Sequence, residues 1–147
     1  MRFGRLIAGR VLIICGIAVG LLLDAGLGRA ADRFPFDREL LLDVAPMPPV
    51  KHVPILNVSQ RGNATVDLWC KTVAARVTLA DSDIHIETAP LPETLPPYMI
   101  DGQCTPKRMQ ADADTLAALA QVTAWRRQGQ AIVLLGPTQL KFRPSDH

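Results

Sequence analysis

Two runs of alternating residues constrain this chain more than anything else in it. Val73, Ala75, Val77 and Leu79 alternate with Ala74, Arg76 and Thr78; after Ala80-Asp81-Ser82, the residues Ile84, Ile86 and Thr88 alternate with Asp83, His85 and Glu87. A period of two is that of a strand buried on one face, so the two runs and their short polar turn predict a β-hairpin. His85 shares its face with Asp83 and Glu87, which predicts a solvated surface histidine. Cys70 precedes the hairpin and Cys104 follows it.

Upstream of Cys70 the same period continues. Ala64, Val66, Leu68 and Cys70 fall on one face, with Thr65, Asp67 and Trp69 on the other, so Cys70 is expected to point toward the core. Arg61-Gly62-Asn63 reads as a turn joining this run to a strand at Ile55-Leu56-Asn57-Val58. Pro46, Pro48, Pro49 and Pro54 exclude helix and central strand from the preceding stretch, because proline has no backbone donor. Glu39 to Val44 is a candidate first strand.

Downstream, Pro90 to Pro97 holds four prolines in eight residues and predicts a stiff crossover toward Cys104. Tyr98-Met99-Ile100 is a candidate short strand. A single amphipathic helix is expected to start at Ala111 or Asp112, with Asp112 and Asp114 in its first turn, where carboxylates favour the exposed N–H groups. Leu116, Leu119, Ala120 and Thr123, with Val122 and Trp125 beside them, form its apolar stripe; Arg126 and Arg127 close it and Gly129 stops it. Ala131 to Leu135 and Gln139 to Arg143, around Gly136-Pro137-Thr138, predict a second hairpin. The class is therefore α+β: a strongly bent antiparallel β-sheet or open barrel with one amphipathic helix packed against it.

The N-terminus belongs to a different layer of organisation. Arg2, Arg5 and Arg10 precede an uncharged apolar run from Val11 to Leu23, and Gly28-Arg29-Ala30-Ala31 offers small residues for cleavage between Ala30 and Ala31. This is the layout of a secretory signal peptide, with a run shorter than the ~20 residues of a comfortable membrane span. The expected organisation is a signal peptide over 1–30 and one domain over 31–147, exported to the periplasm or secreted; an uncleaved anchor is the alternative. Ile14 beside Cys15 is too bulky for a lipoprotein cleavage site. Removing 1–30 takes away Arg2, Arg5, Arg10, Arg29 and Asp24, so the 16 basic and 14 acidic residues fall to 12 and 13 and the net charge to about −1. The remaining chain has no basic face suited to nucleic acid or an anionic membrane.

Cys15 leaves with the signal segment, so Cys70 and Cys104 remain. Two thiols in a small exported domain are expected to pair. Closing that loop would stabilise the fold by about 3–4 kcal/mol in the simple chain model. A redox or metal role is disfavoured, because no Cys-x-x-Cys is present and no histidine lies near either cysteine in sequence.

The order of strand, turn, cysteine, hairpin, crossover, cysteine, helix and final hairpin resembles the META domain of heat-inducible bacterial envelope proteins. Trp69-Cys70-Lys71, with Arg76-Val77-Thr78-Leu79 and Ser82-Asp83-Ile84-His85-Ile86, is similar to that family's Gly-Cys-Asn motif and the hairpin after it. Cys104 with Met109, the stretch Leu116 to Trp125, and Gly129 to Leu135 followed by Leu140-Lys141-Phe142 resemble its second cysteine, helix and ending. Trp69 and Lys71 depart from the glycine and asparagine of the motif, so whatever that turn binds in the family is not carried over. The resemblance implies an envelope protein of α+β fold associated with stress response.

Catalytic chemistry is not singled out. His52 lies in the proline-rich loop, His85 on a polar face and His147 at the end of the chain, and hydrolase triads need a positioned base. Phosphate-binding glycine loops and metal-spaced His/Cys clusters are missing from the sequence. The expectation is a non-catalytic domain without cofactor or metal, contacting an envelope protein or a small ligand. Two alternatives stand beside it: a carrier of small apolar ligands, and a protease-inhibitor-like module presenting Pro90 to Pro97.

Overall fold

The computed structural model describes residues 33–95 and 102–146. Its elements run β1 (Glu39–Leu42), β2 (Ile55–Val58), β3 (Asn63–Asp67), β4 (Thr72–Ala80), β5 (Asp83–Thr88), α1 (Pro106–Ala120), β6 (Ala124–Gln128), β7 (Ala131–Leu135) and β8 (Leu140–Pro144). Each strand pairs antiparallel with its neighbour in sequence, and β8 returns to β1 through Leu40↔Pro144, Leu41↔Arg143 and Leu42↔Phe142. The expected bent sheet is thus a closed barrel of eight strands with one helix. Closure removes both edges that an open sheet would leave unpaired.

The hairpin of β4 and β5 is where the alternation places it, turning on Asp81-Ser82 with Ala80 opposite Asp83. Val77, Ile84 and Ile86 are buried while Arg76, Thr78, His85 and Glu87 are exposed. Strands β1, β2 and β3 follow the same rule, with apolar side chains filling the interior, whereas β7 is buried on both faces from Ala131 to Leu134. One core cluster includes Leu40, Leu56, Val66, Val73, Ile84, Trp125, Ile132 and Phe142 from the eight strands, with Leu119 from α1. No helix among the described residues is long and apolar enough to cross a membrane.

The seam between β5 and β6 is the weakest, with the single pair Asp83↔Ala124. The helix packs on β5 there, and its inward face carries Arg108, Asp112, Thr115, Ala118 and Leu119. These positions repeat at helical spacing, so they form one stripe.

That stripe corrects the sequence expectation at both ends. The helix begins at Pro106, where Thr105 is the N-cap and its Oγ1 accepts from the Arg108 amide at 3.3 Å. A proline at the first position fits because its missing N–H has no helical partner anyway. Asp112 is consequently a mid-helix residue facing inward, not a first-turn carboxylate. At the other end Gln121 caps the helix, and Thr123 already accepts from the Ile84 amide at 3.1 Å. Trp125, Arg126 and Arg127 therefore belong to strand β6, and Gly129 turns β6 into β7 rather than stopping a helix.

Trp69 departs from the expected alternation as well. Strand β3 ends at Asp67, and the Leu68 amide donates to the Lys71 carbonyl at 2.7 Å across a tight turn. Released from strand geometry, Trp69 is buried together with Leu68 and Cys70, although of the three only Leu68 joins the core cluster. The signal segment with its Ala30/Ala31 junction, the Tyr98-Met99-Ile100 strand, Pro96-Pro97 and His147 lie outside the described residues.

Candidate functional site

Cys70 and Cys104 form a disulfide with Cα atoms 5.7 Å apart. Cys104 directly precedes the helix cap Thr105, so the bond ties the start of α1 to the β3–β4 turn. Cys70 is buried as expected, but in the turn after β3 and not by strand parity, since Trp69 of the opposite parity is buried beside it.

Around this bond the helix treats the turn as a strand neighbour would. Oδ1 of Asp112 accepts from the Trp69 amide at 2.7 Å and the Cys70 amide at 3.1 Å. One helical turn earlier, Nη2 of Arg108 donates to the Trp69 carbonyl at 2.5 Å, and Nη1 donates to the Met47 carbonyl at 3.1 Å. Residues at i and i+4 share a helix face, so Arg108 and Asp112 bracket both backbone groups of Trp69. Nε2 of His52 lies 2.7 Å from the Leu68 carbonyl and 3.6 Å from Asp67 Oδ2. The β1–β2 loop, the β3–β4 turn and the helix start therefore converge on one polar cluster.

Arg108 and Asp112 are at most 1% exposed. Burial pushes the Asp112 carboxyl above its usual range, against the amides of Cys70, Trp69 and Lys71 and the Lys71 ammonium. Asp112 Oδ2 and Arg108 Nε have no hydrogen-bond partner among the described residues. The hydrogen-bond partners of these two side chains are backbone amides and carbonyls, which suits a clamp that holds loop geometry. Sequence reasoning placed Asp112 on the helix dipole and did not single out Arg108. The available signal was their register with Thr115 and Leu119 on one face.

The remaining candidates do not join this cluster. His85 is exposed and lies 3.4 Å from Glu87. Among the described residues, no group of three or more His, Cys, Asp or Glu could hold a metal ion. The Pro90–Pro97 segment is tied down where it is described: Lys71 Nζ donates to the Pro92 carbonyl, and Leu91 packs against the core.

A second feature lies over the β2–β3 and β4–β5 turns. Phe34, Phe36 and Trp125, with Gln60, Leu79 and Asp81, line an open depression of about 690 Å3. Phe34 stacks edge-on against Trp125 with centroids 5.4 Å apart and tilts against Phe36 at 5.3 Å. The Trp125 indole N–H donates to the Asp81 carbonyl at 2.9 Å, and Arg127 holds the Arg33 carbonyl at 2.8 Å. Both bonds pin the Arg33-to-Phe36 lead-in and the β4–β5 turn about the aromatic floor. Volumes of this size accommodate small ligands. Phe34 is also part of the barrel core.

No protein-family model matches this chain, and no curated protein matches it. Among solved structures, an NMR structure of a protein from Burkholderia xenovorans is similar in fold at 16% sequence identity, with a TM-score of 0.58 over 76% of this chain and 84% of that one.

Proposed function

We propose that this chain is an exported, non-catalytic domain of the META kind that serves envelope maintenance or stress response by contacting a protein or a small ligand. The observation that carries the reading is the Cys70–Cys104 disulfide. Such bonds persist in oxidising compartments and are rare in the cytosol. Here the bond joins the two segments whose cysteines resemble the first and second cysteines of the META domain. Fractionation of cells producing the untagged protein tests export: the protein is expected in the periplasmic fraction or the medium. Retention in the cytosol with free thiols would overturn the reading. Co-purification from the same fraction would then identify the partner.

Carriage of a small apolar ligand is the second reading, and the aromatic depression favours it. The barrel interior is filled by core side chains, so the ligand would sit at the barrel end rather than inside.

A further inference from the structure

The two sides of the Cys70–Cys104 bond are supported unequally. On the Cys70 side the β3–β4 turn has a full set of noncovalent partners. The Leu68 carbonyl meets His52 Nε2, and the Leu68 amide donates to the Lys71 carbonyl. The Trp69 and Cys70 amides donate to Asp112 Oδ1, and Arg108 holds the Trp69 carbonyl. Cys70 itself is 2% exposed. On the other side, Gly102, Gln103 and Cys104 have no hydrogen bond to another described residue, and Cys104 is partly exposed.

This asymmetry decides where the bond can react. A thiolate opens a disulfide by attacking one of its sulfurs, so it needs access to that sulfur. Access favours Cys104. Cys104 also stands one residue before the N-cap Thr105, where the unpaired N–H groups of the first helical turn favour negative charge on sulfur. The turn that carries Cys70 keeps its hold on Asp112 and Arg108 whether or not the S–S bond is made. An opened pair therefore stays close enough to rejoin. The spacing of the cysteines in sequence disfavours a redox role, and their unequal support in the fold reopens it.

We propose that the Cys70–Cys104 bond opens and closes within the folded barrel by exchange with a small thiol at Cys104, while Cys70 and the β3–β4 turn stay in place. The thiolate attacks Cys104 Sγ and forms a new S–S bond there. The Cys70–Cys104 bond breaks, and its electron pair leaves on Cys70 Sγ, which takes up the proton that the incoming thiol released. A second thiol molecule displaces the first from Cys104, so two small thiols are oxidised to their disulfide and the protein is reduced to two thiols. Attack of Cys70 on the mixed disulfide runs the first step backwards and recloses the bond. The proposal rests on the disulfide and not on export or on kinship with the META domain.

The test exposes the purified oxidised protein to reduced glutathione, quenches with acid, alkylates free thiols in denaturant and maps both cysteines by mass spectrometry. Glutathione is expected on Cys104 about tenfold or more in excess over Cys70, at a rate unchanged by urea well below the unfolding midpoint. In hydrogen exchange of the fully reduced protein, the Arg108 and Met109 amides, which donate to Thr105, are expected to lose protection. The Trp69 and Cys70 amides are expected to keep theirs. Glutathione on Cys70, or on both sulfurs equally, would overturn the proposal. So would a rate that rises with urea in step with unfolding, or a Trp69 amide that loses protection on reduction, because either means that the bond opens only when the turn comes apart.

Discussion

The Cys70 amide donates to Asp112 Oδ1 at 3.1 Å across 42 residues of chain, while the Cys70 sulfur is bonded to Cys104 just before the same helix. One turn of backbone is thus held covalently at its side chain and electrostatically at its N–H. The same Oδ1 also takes the Trp69 amide, so Asp112→Ala leaves two buried donors without an acceptor. That loss is expected to cost about 2–4 kcal/mol, read from urea unfolding at unchanged slope. Asp112→Asn keeps an acceptor and mimics the protonated acid, so its cost is expected to stay within about 1 kcal/mol. Equal losses in the two variants would show that the acceptor is not what matters.

The raised pKa of Asp112 sets a pH dependence with a definite sign. Burial favours the protonated acid in the folded state, so between the free carboxyl value of about 3.9 and the raised value the folded protein binds more protons than the unfolded one. The contribution of Asp112 is therefore greatest at acid pH and declines as pH rises through that window, then stays level. In unfolding curves, the wild type and Asp112→Asn are expected to show similar stability at the acid end of this range, where Asn mimics the protonated acid, and the wild type is expected to lose stability relative to Asp112→Asn as pH rises. A wild type that gains stability over Asp112→Asn with rising pH would reverse the assignment.

Arg108 supports the same turn from the other side and also reaches the β1–β2 loop through Met47. Arg108→Ala removes a fully buried side chain and two carbonyl partners, and is expected to cost about 3–5 kcal/mol. Arg108→Met restores the volume and leaves only the carbonyls unpaired, for a smaller cost of about 1–3 kcal/mol. Denaturant midpoints compare the two directly. An Arg108→Met variant as unstable as Arg108→Ala would put the whole effect in the hydrogen bonds.

Much of this fold could be read in the sequence, and the failures have specific causes. Strands β4 and β5 announce themselves because one face is wet and the other dry. Strand β6 was hidden because Val122 and Trp125 happen to continue the helical spacing of Leu119, with no glycine or proline between Ala120 and Ala124. The true helix start was signalled by Thr105-Pro106, an N-cap and first-turn proline, but Asp112 and Asp114 offered a second plausible start. The clamp was missed because polarity patterns assign charged residues to solvent, whereas Arg108 and Asp112 are buried where the β1–β2 loop and the β3–β4 turn meet α1 in the folded chain. Barrel closure depends on β1 pairing with β8 across the whole chain, which no local pattern reports.

Two glycines separate conformational strain from crowding. Gly62 has φ +81°, and a Cβ there would strike the Val77 carbonyl oxygen of β4; Gly129 has φ +62° with open space around it. Gly129→Ala is expected to cost about 1 kcal/mol from its backbone conformation alone. Gly62→Ala adds a backbone clash that cannot rotate away, for about 2–4 kcal/mol in all. Thermal unfolding of the two variants should rank them in that order, and a reversed order would remove the close approach of the β2–β3 turn to β4.

The most direct measurement is the intact mass of the protein recovered from its own cells after thiol blocking under denaturing conditions. The expected mass is that of residues 31–147 less two hydrogens, with no alkylation, as an exported chain with Cys70 and Cys104 joined requires. A mass that retains residues 1–30 and carries blocked thiols at both Cys70 and Cys104 would contradict export and disulfide together.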